Sequence, residues 1–398
     1  MRKIRVLLVW QYSRKDWVEL FKKLSNDFEF IFIGEVFKTL STEYVDEFAE
    51  VTYWSKYSNA FELLNDIKPN KIVFMGTESL HTIALNYAAR EKKISTYYLQ
   101  HGIFAPLSFY INAHKKANDI NGIKSSSDRS LVIFMTKFYL LTFGIHLRAL
   151  GYLVNYIIYK GKMSQVEFLI KNRFQYRILD RYIVYTISNA LFLSHRDQFP
   201  VDKYQEIGDP NFDKYYRKGE HESSYLLLID IPLVEIRAEG RVVKRSYTAD
   251  KANEFYSMVN EYCMDKGVRL KIKIHPYNFE STFYLEHSNI DYIRECSIPD
   301  LIDGANMIVS FFSTLTLPCI LKKPFLLIRT NDEEALLNDL EKWGLPACPN
   351  FENFLYSDIQ FIKMKDYSRV LTALQSEYIY KFDGCATMRF KTILLTDL

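Results

Sequence analysis

Apolar residues fall along this chain in short runs that alternate with stretches of helical period. Ile4–Val9 is such a run, and Trp17, Leu20, Phe21 and Leu24 follow it at helical intervals, which predicts a strand and then a helix. The alternation continues through apolar runs at residues 28–33, 71–75 and 94–99, with helical patterns at 60–67 and 79–90. Strands that alternate with helices, each strand apolar on both sides, predict a parallel sheet covered on both faces. A second series opens at residues 225–230 and runs through a helical 249–266 to apolar runs at 269–274, 290–293, 307–309 and 324–328. Ser297-Ile298-Pro299-Asp300 ahead of Leu301 reads as a helix start, with proline in the first turn.

Two such series give an α/β chain of two Rossmann-like domains. Turn residues and charges replace apolar runs from Gly208 onward, so the first domain is expected at 1–213 and the second at 214–382. Asp383-Gly384 then precedes a closing helix within 383–398. No glycine-rich turn follows the first strand, where Val9-Trp10-Gln11-Tyr12-Ser13 stands instead, so neither NAD nor FAD is expected.

Residues 112–181 fit neither series. They hold two strongly apolar blocks, 131–143 and 150–159, separated by Gly144, His146, Arg148 and Gly151. Neither block reaches the roughly 20 apolar residues that span a bilayer. Between Arg129 and Leu179 the single acid is Glu167, against eight lysines and arginines. This helical insertion into the N-terminal domain is expected to be a buried hairpin with a solvated basic face. An interfacial membrane segment has the same composition, and one hairpin can be both.

The formal charge of +3 on 398 residues argues against a dedicated nucleic-acid binder. Five cysteines, Cys263, Cys296, Cys319, Cys348 and Cys385, make no CxxC pair and no zinc spacing. A reducing, cytoplasmic setting is the simplest expectation. The basic start and short apolar run at the N-terminus read as a first strand, since no small-residue cleavage site follows.

Open parallel sheets bind ligands beyond the carboxyl ends of their strands, and polar residues recur at those ends here. Lys273-Ile274-His275-Pro276 closes one apolar strand. Its histidine can donate to a phosphate or protonate a leaving group, and Lys273 alternates with isoleucines. Ser310, Ser313 and Thr314 lead into an apolar helix that Ser310 or Ser313 can cap, a geometry that also suits a phosphate or carboxylate. Gln100-His101-Gly102 ends the fifth apolar run of the first domain, on the side expected to face the cleft between domains. Asp230 terminates the first strand of the second, where a carboxylate can serve as base or nucleophile. Arg237 lies in a charged segment read as a loop able to close over a donor, and Glu167 is a candidate base toward an acceptor hydroxyl.

Gln100-His101-Gly102, Lys273-Ile274-His275-Pro276, and Ser310-Phe311-Phe312-Ser313-Thr314 with Lys323-Pro324 together resemble bacterial surface-polysaccharide transferases of the GT-B type. Gly208-Asp209-Pro210 through Phe212-Asp213 is similar to the segment leading into their second domain. Histidine-proline and serine-rich motifs of this kind occur in polysialyltransferases, in CDP-glycerol phosphotransferases, and in the β-Kdo transferases of capsule and O-antigen assembly. The resemblance to the retaining β-Kdo branch is preferred, although no single motif separates the three. It implies two Rossmann-like domains facing a cleft, a CMP-β-Kdo donor without a metal or other cofactor, and a growing or lipid-linked glycan acceptor. It further implies Asp230 as nucleophile, His275 on the donor side, and Ser310, Ser313 and Thr314 around the phosphate or the Kdo carboxylate. Work at the cytoplasmic face of the inner membrane would follow. The alternatives are an inverting sialyl or glycerophosphate transferase and, from another class, an inactive scaffold of an envelope assembly complex.

Overall fold

The structure is a computed structural model. It describes residues 3–37, 42–104, 129–159, 163, 165–197, 199–216, 225–238, 241–244, 247–279, 284, 286–311, 313, 315–330, 335–345, 349–360 and 368–396. The chain divides into two compact units, Met1–Asp213 with Ser376–Leu398, and Lys214–Gln375.

Unit 1 runs β1 (Ile4–Val9), α1 (Lys15–Leu24), β2 (Phe28–Ile33), β3 (Ala49–Thr52), α2 (Ala60–Ile67), β4 (Lys71–Phe74), α3 (Leu80–Glu91) and β5 (Ser95–Leu99). The insertion follows as α4 (Arg129–Phe143), α5 (Leu147–Tyr159) and α6 (Gln165–Lys171). The sheet then resumes with β6 (Arg181–Val184), α7 (Ile187–Asp197) and β7 (Tyr204–Glu206). Its strands are parallel in the order β3-β2-β1-β4-β5-β6-β7, which reverses direction between β1 and β4.

Side chains of a strand alternate between faces, and here both faces are apolar. Val6, Leu8, Phe30, Phe32 and Val73 belong to one core, and Leu7, Val9, Ile31, Ile33, Ile72 and Phe74 to the other. Residues 28–33 and 60–67 are a strand and a helix at the bounds the pattern predicts. Asn59 caps α2 by accepting from the Glu62 amide at 3.0 Å, and the Glu62 carboxylate accepts from Ser58 N at 2.7 Å in return. The short strands β3, β6 and β7 escape the pattern.

The insertion is helical in its described part and is a core hairpin on one side. Phe143 stacks on Tyr87 of α3 with ring centroids 4.3 Å apart, and the Tyr139 hydroxyl donates to Ala149 O at 3.0 Å, tying α4 to α5. Residues 112–128 lie outside the described residues. Among the described residues no helix is long and apolar enough to cross a membrane.

Unit 2 continues with β8 (Tyr225–Ile229), β9 (Glu235–Ala238), β10 (Arg241–Lys244), α8 (Ala249–Asp265), β11 (Arg269–Lys273), β12 (Ile290–Ile293), α9 (Ile298–Asp303), β13 (Ala305–Phe311), α10 (Thr316–Lys322) and β14 (Phe325–Ile328). The helices α11 (Ala335–Lys342), α12 (Tyr356–Gln360) and α13 (Ser368–Leu374) complete it. The main sheet is parallel in the order β12-β11-β8-β13-β14, and it too reverses direction beside its first strand. β9 and β10 form a separate antiparallel hairpin, so the charged segment read as a loop is a β-ribbon.

A π-helical turn, Gln375–Ile379, carries the chain back into unit 1, so residues 376–382 belong there and not to the second domain. The closing helix α14 (Ala386–Thr396) sets Phe390 and Leu394 into the core that holds α1 and β1. Asp213 caps it from a distance, accepting from Ala386 N at 3.0 Å and Thr387 N at 2.8 Å. Gly208 is needed at the same seam. Its φ is +80°, and a Cβ there would stand 2.9 Å from Ile379 O.

The last helix is therefore structural for unit 1. Phe390→Ala removes a fully buried ring and is expected to cost about 3–5 kcal/mol. Urea titration followed by tryptophan fluorescence checks this, because Trp10, Trp17 and Trp54 report on unit 1 and Trp343 on unit 2. A midpoint like that of the unsubstituted chain would show that α14 is dispensable.

Candidate functional site: two strand-end cavities

Each unit has a cavity at the carboxyl edge of its sheet, at the point where strand order reverses. That is where an open parallel sheet leaves a crevice between helices leaving in opposite directions.

In unit 2 the cavity encloses about 470 Å³ and is lined by Ile229 and Asp230 at the end of β8, Lys273 to Pro276 at the end of β11, Phe279, Arg294 to Cys296, Ile298, Ser313 and Leu315. The structure thus brings together Asp230, Lys273, His275, Pro276 and Ser313 of the predicted residues. His275 is half-buried, and its carbonyl accepts from Asn278 N at 2.8 Å in the turn that Pro276 opens. The Lys273 ammonium donates to Ile274 O and Arg294 O, both at 2.8 Å, and lies over the Phe279 ring. Two of its three hydrogens are thereby committed, and burial lowers its pKa.

Asp230 is 2% exposed and heavily bonded. Tyr256 donates to Oδ1 at 2.9 Å, Tyr284 donates to Oδ2 at 2.9 Å, Asn278 Nδ2 approaches Oδ2 at 3.4 Å, and Ile231 supplies a backbone N–H. A carboxylate has about four acceptor positions, and four donors occupy them. Burial pushes the carboxyl up to about 6, against the pull of these donors. With its acceptor positions taken, the carboxylate holds Tyr256, Tyr284 and Asn278 in place in this structure, and His275 follows the same strand end as its donor Asn278.

Three expectations change. Ser310 is fully buried inside β13, which extends to Phe311, and its hydroxyl donates to Phe311 O at 2.7 Å, so it faces away from the cavity. The helix begins later, at Thr316, with no side-chain cap; Ser313 Oγ instead accepts from Leu315 N at 3.3 Å. Arg237 sits on β9, a strand of the ribbon beside the Pro276–Asn278 turn. Thr314 lies outside the described residues.

The unit 1 cavity encloses about 460 Å³ between the ends of β1, β2, β4 and β5. Its walls are aromatic, with Trp10, Trp54, Tyr98, Phe104 and Phe192, and its polar side chains include Gln11, Glu78, Ser79, His81, His101 and Arg196. His101 stands edge-on to Trp10 and Trp17, and His81 edge-on to Trp54 at 4.5 Å. Both imidazoles are pushed down to about 4, His81 by burial and His101 by burial and then by Arg196, so both are neutral at pH 7. Among the described residues the Nδ1 atoms of both are buried without a hydrogen-bond partner. Arg196 Nη1 pairs with Glu78 at 2.6 Å, and its Nη2 pairs with Asp197 at 2.5 Å.

Gln100 is buried and its amide is consumed inside the protein. It donates to Gly102 O at 2.7 Å and Asn189 Oδ1 at 2.8 Å and accepts from Tyr185 N at 2.8 Å. It therefore builds the turn that presents His101 and does not line the cavity. Gly102 has a φ of +157°, which side-chain-bearing residues rarely adopt, while among the described residues no atom lies within 4 Å of where its Cβ would stand, so the backbone and not a neighbour favours glycine. Glu167, in the first turn of α6, lines neither cavity.

Sequence reasoning missed Glu78, His81, Trp54 and Arg196. A signal existed for one of them: Gly76-Thr77-Glu78-Ser79 follows β4 and leads into α3, the same strand-end arrangement that singled out His101 and His275. Among the described residues no group of three or more His, Cys, Asp and Glu could hold a metal ion.

No protein-family profile matches the chain, and no curated protein matches it in sequence. Solved structures do match. The chain is similar to the glycotransferase of kitacinnamycin, with 11% identity, 99% of each chain covered and a TM-score of 0.54. It is similar to the calicheamicin glycosyltransferase CalG4, with 11% identity, 99% of this chain and 98% of that one covered, and a TM-score of 0.53. At that identity the likeness defines the fold, which is GT-B.

The Asp230 network makes a pH-dependent prediction. Its folded pKa, about 6, lies above the 3.8 of the free side chain, so the stabilisation from its proton is fully present below 3.8 and is lost as pH rises through about 6. Above that the charged carboxylate depends on its tyrosines. Tyr284→Phe is expected to lower stability by roughly 1–3 kcal/mol at pH 8 and by less at pH 5. Urea unfolding at the two pH values measures the difference, and an equal loss at both would contradict this account of the network.

Proposed function

We propose that the protein is a glycosyltransferase that takes an anionic, nucleotide-activated sugar in the unit 2 cavity and a glycan acceptor in the unit 1 cavity. The observation that carries this reading is the convergence of Lys273, His275 and Ser313 on one strand-end cavity within a GT-B fold. The remaining ammonium hydrogen of Lys273, the imidazole of His275 and the hydroxyl of Ser313 can all face a phosphate or a sugar carboxylate. Donors fixed before reaction stabilise charge that develops on a leaving phosphate without reorganisation. The solved structures similar in fold act in glycosyl transfer by their names, which agrees with the reading.

The aromatic walls of the unit 1 cavity suit the apolar faces of sugar rings, and Glu78, Ser79 and Arg196 suit their hydroxyls. The acceptor hydroxyl would attack the anomeric carbon as the bond to the nucleotide breaks. His101, neutral and lining this cavity, would take the hydroxyl proton. The saturation of Asp230 favours this single displacement over the double displacement that the β-Kdo resemblance implies. CMP-β-Kdo is the first donor to test, and the acceptor a growing or lipid-linked glycan.

A donor screen tests the reading. CMP-β-Kdo, CMP-sialic acid and CDP-glycerol are offered to the full chain, and thermal stabilisation and nucleotide release are followed. One of them should stabilise the fold, because a ligand of the native state raises its melting temperature. His275→Ala should slow nucleotide release roughly 100-fold or more with unchanged melting temperature. Failure of all three donors to bind would sink the proposal, and a covalent sugar adduct on Asp230 in the mass spectrum would restore the double displacement.

A further inference from the structure

We infer that the outer side of the α4–α5 hairpin docks on an anionic bilayer, and that the basic cavity beside it takes the phosphate of a lipid head group. The hairpin has two apolar sides where a buried element needs one. Phe138, Tyr139 and Phe143 of α4, and Ala149, Tyr152 and Leu153 of α5, are inside the core of unit 1. Ile133, Leu140 and Leu141 of α4 stand in solvent at helical spacing, as do Val154, Ile157 and Ile158 of α5. Between them the turn carries Ile145 at 94% exposure and Leu147 at 80%, the two large apolar side chains most open to solvent among the described residues. A surface of this extent needs a partner.

Charge selects which partner. Lys137, Arg148 and Arg173 are exposed, and among the described residues none of them makes an ion pair. From Arg129 to Leu179 the sequence holds one acid and eight basic residues, of which Arg177 is buried and paired with Asp197. Arg148 and Arg173 line a cavity of about 400 Å³ together with Asn155, Asn172 and Gln175, and no carboxylate lines it. Two guanidinium groups with amide side chains suit a phosphate. Arg148 follows Leu147 directly in the first turn of α5, so the cavity begins next to the exposed apolar turn. An aqueous anion would use the arginines but not the apolar turn. An anionic phospholipid uses both, with the apolar side chains entering the acyl boundary and the arginines at head-group level. This inference does not rest on the proposed transferase activity.

The full chain is floated with vesicles of phosphatidylcholine alone or mixed with phosphatidylglycerol. Binding is expected to the anionic vesicles, and to weaken with added salt. Arg148→Ala with Arg173→Ala should weaken it roughly thirtyfold. Ile145→Asp with Leu147→Asp should abolish it, with melting temperature unchanged because both side chains are in solvent. Equal binding to neutral and anionic vesicles, or none to either, would overturn the inference. So would stabilisation by inorganic phosphate without vesicle binding, which marks a soluble-anion site, or a dimer in sedimentation that Leu147→Asp dissolves, which marks a second copy of the chain on this face.

Discussion

Burial of both faces of both sheets is the constraint on which the rest of the molecule depends. A parallel strand between two helical layers has no solvent side, so a polar side chain inside it must find a protein partner. Lys71 shows what this demands: it is 1% exposed in β4, and its ammonium is met by the Tyr97 hydroxyl and ring. Polar residues accordingly gather where strands end and the helical layers part. Both cavities lie at such ends, beside the first strand of each sheet, where successive helices leave to opposite faces and nothing fills the gap.

Position at a strand end is necessary for a working group but not sufficient. What separates the residues is how much hydrogen-bonding capacity the fold has left them. Gln100 and Asp230 stand where a ligand could be met, yet every good bond they can make is made within the protein. They fix turns. His81 and His101 have a buried nitrogen each without a partner, and Lys273 has one hydrogen uncommitted among the described residues. A fold does not leave such groups underused without cost, since an unmet buried donor or acceptor costs about 1–3 kcal/mol. Groups that bear this cost beside a cavity are the ones that a bound ligand would satisfy.

The sequence shows strand ends well and hydrogen-bond saturation not at all, and that difference explains what was legible. The apolar runs locate β1, β2 and β8 because both faces of those strands are buried, and the turn residues at Gly208 to Asp213 mark where unit 1 gives way to unit 2. Asp230 looked chemical because it ends a strand, and its four donors come from residues up to 54 positions away, which no local pattern reveals. Ser310 failed by strand length: two more residues of β13 put it inside the sheet. Arg196 was invisible for the opposite reason, being one cation in an unremarked helix until the fold sets it against Glu78 from another strand end.

That last contact belongs to a chain of charges running through unit 1. Arg177, at the exit of the insertion, pairs with Asp197; Asp197 pairs with Arg196; and Arg196 reaches Glu78 at the cavity wall. Arg177 and Asp197 are almost wholly buried, so the Coulomb attraction must offset a desolvation cost of several kcal/mol for each ion. Two cations and two anions leave the chain neutral, and removal of any member strands a charge in the core. Its net contribution to stability is small by the same reasoning, since an apolar replacement of equal volume would avoid the desolvation. What it contributes is position. It ties the insertion's exit, α7 and the end of β4 into one geometry, and thereby fixes the guanidinium that adds to burial in keeping His101 neutral.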